Sequence, residues 1–281
     1  MSSRRKVRVG AVNYLNTKPL IHGFERLAPH AELELDLPSR LADRLASNEF
    51  DVALIPVIEY FRNPDYVVVS DACIGCRGPV LSVKLFSHVP PAKIRSLALD
   101  EGSRTSVALV RILLSKRFGI EPRIERLPIG ISLDESRCDA VLLIGDRAIH
   151  SPLGNYDTVW DLGDEWCRFA ELPFVFALWA ARSTTDLADV DAALGEARDL
   201  GVKNLPEIAA RESATAGLTV PECLTYLRDH LHFYLEPREQ EGMSLFGRLS
   251  AELGFLPQGV DFGLSRFANP RPSGRRRAAH A

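Results

Sequence analysis

Three short polar segments hold the residue types that could do chemistry in this chain. The first, Asn13-Tyr14-Leu15-Asn16-Thr17-Lys18-Pro19, gathers two amides, a threonine hydroxyl and an ammonium after an apolar strand. In a doubly wound α/β unit the loop after the first strand opens onto the ligand crevice, where such groups suit a polar anionic ligand. The same asparagines could instead cap their own turn. The second segment, Gly102-Ser103-Arg104-Thr105-Ser106, stands between a strand and a helix. Free amides and the helix dipole at that end favour a carboxylate or a phosphate, and the three hydroxyls of Ser103, Thr105 and Ser106 add donors. Thr105 or Ser106 acting only as a helix cap is the alternative. No Gly-x-x-x-x-Gly-Lys is present, which argues against a nucleoside triphosphate and for a carboxylate ligand. The third, Gly145-Asp146-Arg147, ends a strand, so its charges either face the cleft or Asp146 caps the next helix.

Other chemistries lack their patterns. Cys73-Ile74-Gly75-Cys76 is a single Cys-x-x-Cys, and Cys138, Cys167 and Cys223 are isolated, so no zinc set is expected. The pair precedes a strand rather than opening a helix, which disfavours a thioredoxin-like site. His230 and His232 are two apart in an expected helix and face different ways, while His22, His30, His88 and His150 have no partner at a diagnostic spacing. Nucleophile-elbow, zinc-protease and dinucleotide-binding motifs are absent.

The polar segments need elements to position them. Val7–Val12, Ala31–Leu37 and Asp51–Pro56 read as strands, the last fully buried and ended by Pro56, with a helix capped by Ser39 between the second and third. That order calls for a parallel sheet covered on both faces. Strand Val80–Phe86 leads to Pro90-Pro91, read as a linker, and a second unit of the same style follows. Its strands are Leu97–Leu99, Arg123–Leu127 and Ala140–Ile144, with a helix over Val107–Phe118. Leu172–Trp179 is a long apolar strand suited to the return crossing. Helices are expected at Leu187–Leu200, Leu205–Arg211, Val220–Phe233 and Arg238–Leu253, the last closed by Gly254 and Pro257. The result is an α/β clamp of two lobes with C-terminal helices and a ligand site in the cleft. One lobe takes residues 1–88 and 175–268 and the other 89–174. Residues 269–281, with three consecutive arginines, read as a disordered tail.

With 281 residues, 46% hydrophobic and 25% charged, the chain can bury two cores. A formal net charge of −3 gives no general attraction to nucleic acid or anionic membrane. No apolar run approaches the ~18 residues of a membrane helix. Met1–Lys6 runs straight into a short strand interrupted by Arg8, so no secretory leader is expected, and five scattered cysteines suggest a reduced, cytoplasmic protein.

Taken in order, the segments resemble the chorismate dehydratases (MqnA family) of the futalosine route to menaquinone. The resemblance rests on Val12–Leu20, Phe50–Val57, Arg77–Ser87, Gly102–Ser106, Leu142–Asp146 and Leu172–Ala177, and it spans residues 7 to about 255. It implies a fold like the type II periplasmic binding proteins and conversion of chorismate to 3-[(1-carboxyvinyl)oxy]benzoate and water, without metal or organic cofactor. Asn16 would then stand at the reacting ring and Ser82 would line the site, with the Ser103–Ser106 loop, Arg104 included, holding a substrate carboxylate. Asn13, Thr17, Pro56, Gly145 and Asp146 complete the expected substrate site. The proton acceptor is either a substrate carboxylate or one of Glu59 and Asp146. The competing class is a binding protein of the same clamp fold that only captures a small carboxylate.

Overall fold

The computed structural model describes residues 5–128, 135–150, 156–260 and 262. Eleven strands form two mixed sheets among these residues. The first runs β11-β4-β10-β3-β1-β2, from β1 (Val7–Val12), β2 (Ala31–Asp36), β3 (Val52–Pro56), β4 (Tyr66–Cys76), β10 (Phe174–Arg182) and β11 (His232–Tyr234). Strands β1, β2 and β3 are parallel, as the alternating pattern predicts, but β10 enters antiparallel between β3 and β4. The second sheet, β7-β6-β8-β5-β9, uses β5 (Val83–Ser87), β6 (Ser96–Asp100), β7 (Arg123–Leu127), β8 (Ala140–Ile144) and β9 (Thr158–Asp161). The purely parallel sheet is therefore corrected to a mixed one in each lobe, because each contains a strand that arrives from the other lobe.

The position of β5 moves the first crossing. It pairs with β8 and β9, so it belongs to the second sheet, and the chain passes between the sheets at 77–82 rather than at Pro90-Pro91. Those prolines start a short 3-10 turn inside the second lobe. The return crossing lies at 171–173, just before β10. It is anchored by aromatic packing. Trp166 of α6 (Leu162–Ala170) donates its indole N–H to the Pro173 carbonyl at 3.1 Å, and its ring meets Phe174 at 5.1 Å between centroids. Phe174 in turn packs edge-on against Phe176 and against Phe246 of α10 (Pro237–Glu252). Such contacts add to simple area burial, and they weld the last helix to the crossing.

Several helices begin or end where backbone chemistry overrides side-chain pattern. In α2 (Pro38–Ala46) the proline takes the first helical position and Leu37 the cap, so Ser39 lies inside the helix. Thr219 and Glu222 form a reciprocal capping box that starts α9 (Val220–Thr225). The expected helix over Val220–Phe233 then stops early. It widens into a π-turn at Tyr226–His230, and Phe233 joins β11 against β4. Cys73 and Cys76 lie inside β4, ahead of β5, and all five cysteines are free thiols. Among the described residues no helix is long and apolar enough to cross a membrane. The expected tail at 269–281 lies outside the described residues.

One packing contact sets the loop after β1. Helix α7 (Val190–Lys203) crosses the 3-10 segment Leu15–Ile21 so closely that a Cβ on Gly201 would stand 1.9 Å from the Pro19 carbonyl oxygen. Only glycine permits that approach. Gly201→Ala should therefore force the backbone of the two elements apart, at about 1–3 kcal/mol for overpacking. Calorimetry should show a melting temperature lower by roughly 2–5 °C for a chain of this size.

Candidate active site

Between the sheets lies a cavity built from loops at the carboxyl ends of strands in both lobes. Asn16, Pro56, Ser82, Ser103, Arg104, Thr105, Ser106 and Gly145 line it, so eight residues named from the sequence meet in one place. Tyr14, Ile74, Phe176 and Ala177 complete an apolar wall. Asn13, Thr17 and Asp146 stand outside the lining. Asn13 is exposed and its backbone N–H donates to the Asp36 carbonyl at 3.0 Å. Thr17 is fully buried behind Asn16, and its hydroxyl donates to the Asn16 side-chain oxygen at 3.3 Å. Asp146 accepts the Leu15 N–H at 3.3 Å and so links the two lobes instead of facing the cavity or capping α5 (Asp146–Ile149). Burial raises its carboxyl above the usual carboxylate range.

Tyr14 is the residue that the motif reading quoted but gave no role. It packs flat on the backbone of Gly145, where a Cβ would approach the ring to 2.8 Å. Gly145 also has φ 66° and ψ −155°, a region that side chains strongly disfavour. Below the ring, buried Asp100 accepts the Gly102 N–H at 2.9 Å and pairs with Arg147. Burial, reinforced by Asp100, pushes the Tyr14 phenol up to about 12, so it stays a neutral donor. A tyrosine between two asparagines in the same loop was a usable signal. Phe176, inside a uniformly apolar strand, offered none.

The far wall is the start of α4 (Thr105–Phe118), whose Arg104 N-cap makes no side-chain capping bond. Ser103 Oγ accepts the Ser106 N–H at 3.2 Å, while Thr105 Oγ1 accepts the Ile58 N–H from the other lobe at 3.3 Å. The Arg104 guanidinium is already engaged. It donates to both carboxylate oxygens of Asp43 at 2.8 Å and lies 3.4 Å from Glu59. Glu59, itself paired with Arg62, is thereby held off the cavity. Arg104 is the one charged residue among the described lining residues, so no carboxylate or imidazole faces the cavity there.

Ser82 is delivered by the first crossing. Asp161 accepts the N–H groups of Val80 at 2.9 Å and Leu81 at 2.6 Å, and also those of Gly163 and Asp164 at the start of α6. Leu81 is pinned at φ 59°, a left-handed conformation costly for leucine. Local strain beside a cavity is common at functional sites. Gly145 N–H then donates to the Ser82 carbonyl at 2.8 Å, which ties the crossing to the loop after β8.

Away from the cavity, His232, Glu236 and Glu239 converge, a grouping that helix spacing alone did not foresee. Arg77 donates to Glu239 at 2.7 Å and pairs with Glu236, so a fixed cation already occupies these carboxylates. Cys73 is fully buried and burial pushes its thiol well up, the opposite of a metal-binding or reactive cysteine.

The sequence profile of a family described as menaquinone biosynthesis matches residues 7–252. This chain belongs to that family. The menaquinone-biosynthesis assignment is joined by a 33% identity over 268 residues to the chorismate dehydratase of Thermus thermophilus, covering 89% of this chain and 96% of that protein. A structural-genomics protein of Archaeoglobus fulgidus superposes with a TM-score of 0.73 at 17% identity, over 90% of this chain and 99% of that one. The periplasmic aliphatic sulphonate binding protein of Escherichia coli gives 0.62 at 17% identity, over 92% and 90%. These last two likenesses establish the periplasmic-binding-protein-like frame of this family member, two lobes on a cleft.

Two expectations follow. Gly145→Ala should displace the Tyr14 ring and misplace the Asn16 loop, lowering turnover by about a hundredfold, as ~1 Å errors in positioning do. A steady-state assay checks it. For Asp146 the native carboxyl holds its proton above its unfolded value of 3.8, so its contribution to stability is present at low pH and is lost as pH rises through that window. Asp146→Asn keeps an acceptor for Leu15 without the charge. Its melting temperature relative to the parent should therefore increase between about pH 4 and about pH 7, measured by thermal scans at both values.

Proposed function

We propose that this protein is a chorismate dehydratase, a hydro-lyase that converts chorismate to 3-[(1-carboxyvinyl)oxy]benzoate and water for menaquinone biosynthesis. The observation that carries the reading is the match to the Thermus thermophilus enzyme over nearly its whole length, joined to the presence of Asn16, Ser82 and the Ser103–Ser106 segment on one cavity. The reaction removes the ring hydroxyl and the neighbouring ring hydrogen as water and leaves a benzene ring, so aromatisation drives it. The protein's task is to orient a dianion, exclude water and assist the departing hydroxyl.

Each wall of the cavity suits one part of that task. The amides and hydroxyls at the start of α4 receive a substrate carboxylate. Asn16, whose side-chain oxygen is occupied by the Thr17 hydroxyl, turns its NH₂ group toward the leaving hydroxyl. The apolar wall of Ile74, Phe176 and Ala177 strengthens these hydrogen bonds by keeping the site dry. Since no side-chain base lines the cavity among the described residues, the proton goes to a substrate carboxylate. Glu59 and Asp146 are bound elsewhere, to Arg62 and Arg104 and to the Leu15 amide.

The lobes we assign are joined at 77–82 and 171–173 and close by hinge motion there. Leu15 to Asp146, Ile58 to Thr105 and Arg104 to Asp43 are the contacts that closure makes. The same clamp without catalysis would be a carboxylate-binding protein, and the match to a dehydratase favours the enzyme. We place the enzyme in the cytoplasm, working on a small-molecule substrate without nucleic acid.

Incubation with chorismate and chromatography of the mixture should show the enol-ether benzoate. Unchanged chorismate with folded protein would refute the reading. Asn16→Ala should fold normally and turn over about a hundredfold more slowly, as for loss of one preorganised donor. Wild-type turnover in that variant would remove Asn16 from the chemistry.

A further inference from the structure

Behind the cavity, and absent from its lining, stands a tyrosine that neither the sequence motifs nor the family match assigns. Tyr226 is 1% exposed and opens the π-turn that follows α9. A π-turn redirects side chains, because it places an extra residue in the turn. Here the widening brings Tyr226 and Leu227 inward together, although they are adjacent in sequence.

The Tyr226 hydroxyl lies against the side chains of Ser82 and Asn16, from two different segments of the cavity wall. It forms no well-aligned hydrogen bond with either. A buried hydroxyl without a full partner is unfavourable, and a packed core gains nothing by keeping it in place of phenylalanine. Burial also keeps the phenol protonated, so it can donate to one neighbour while accepting from the other.

We propose that Tyr226 is a positioning residue: its hydroxyl bridges Asn16 and Ser82 and sets the Asn16 amide for the leaving hydroxyl, the bridge tightening when substrate fills the cavity. Thr17 fixes the Asn16 oxygen from one side, and Tyr226 limits rotation of the amide from the other. Catalytic hydrogen bonds are often loose before substrate binds, which accounts for the imperfect geometry. The proposal deepens the dehydratase reading and rests on it for its kinetic arm.

Tyr226→Phe tests it with three readouts. Turnover should fall by about tenfold or more with KM little changed, as for a misoriented donor. The melting temperature should be unchanged or higher, because an unpaired buried hydroxyl has been removed. The third readout does not depend on activity. In protein labelled with ¹⁵N-asparagine, the Asn16 side-chain resonances, identified by their loss in Asn16→Ala, should shift in Tyr226→Phe. Full turnover in Tyr226→Phe beside an active parent would overturn the proposal alone. An inactive parent would instead count against the dehydratase reading, and the Asn16 resonances would then decide the bridge: unmoved, they overturn it.

Discussion

The site depends on one contact in which an aromatic ring lies on bare backbone. Tyr14 comes from the first lobe and Gly145 from the second, and the ring takes the space that any side chain at 145 would fill. This contact brings the loop after β1 and the loop after β8 to a common depth. With that depth set, Leu15 N–H reaches Asp146 and Asn16 faces the cavity. Ser82, tied through its carbonyl to Gly145 N–H, arrives at the same wall. The positive φ of Leu81, beside this junction, shows local backbone preference giving way to the geometry of the cleft.

In the proposed site, recognition of a doubly charged ligand relies on dipoles rather than on a free cation. Arg104 borders the cavity, yet Asp43 and Glu59 hold its guanidinium. What remains at that wall are hydroxyls and the amides of a fourteen-residue helix. In the proposed reaction this arrangement has a chemical consequence. A carboxylate clamped bidentately by arginine is a poor proton acceptor, since the pairing stabilises its charged form. Hydroxyls and partial helix charges orient the group while leaving more of its basicity available. Binding and proton transfer then use different substrate carboxylates, or one carboxylate held loosely enough to do both.

Much of this was legible in the sequence, for identifiable reasons. Loops after parallel strands open onto the crevice whatever their content, so Asn16, the Ser103–Ser106 run and Gly145 could be placed from strand order alone. Buried strands such as Val52–Pro56 declared themselves by unbroken apolar runs. Other features depend on contacts between distant residues. The membership of β5 follows from pairing with β8, some sixty residues away, and proline content pointed to the wrong crossing. Val220–Phe233 has a helical pattern until β4 offers Phe233 a strand to join. Thr17 and Asp146 carry the right chemistry in the right loops, yet each is spent on a neighbour: the Asn16 oxygen in one case and the Leu15 amide in the other.

The frame shared with a sulphonate-binding protein shows how little a clamp must change to become a catalyst. Either use is served by a cleft lined with a few convergent polar groups. Tight capture would be served by matching every ligand oxygen in its resting state. Elimination demands a donor that improves its bond as the hydroxyl leaves, so that donor must be held by the protein and not by the ligand. Asn16 meets that condition. Its oxygen is occupied by Thr17, its loop is pressed by α7 at Gly201, and its depth is set by Tyr14 on Gly145. In the proposed reaction, rigidity behind the amide, rather than any group of unusual reactivity, is what the cavity adds to the binding fold, and it lets a site with no carboxylate or imidazole among its described lining residues favour a transition state over its substrate.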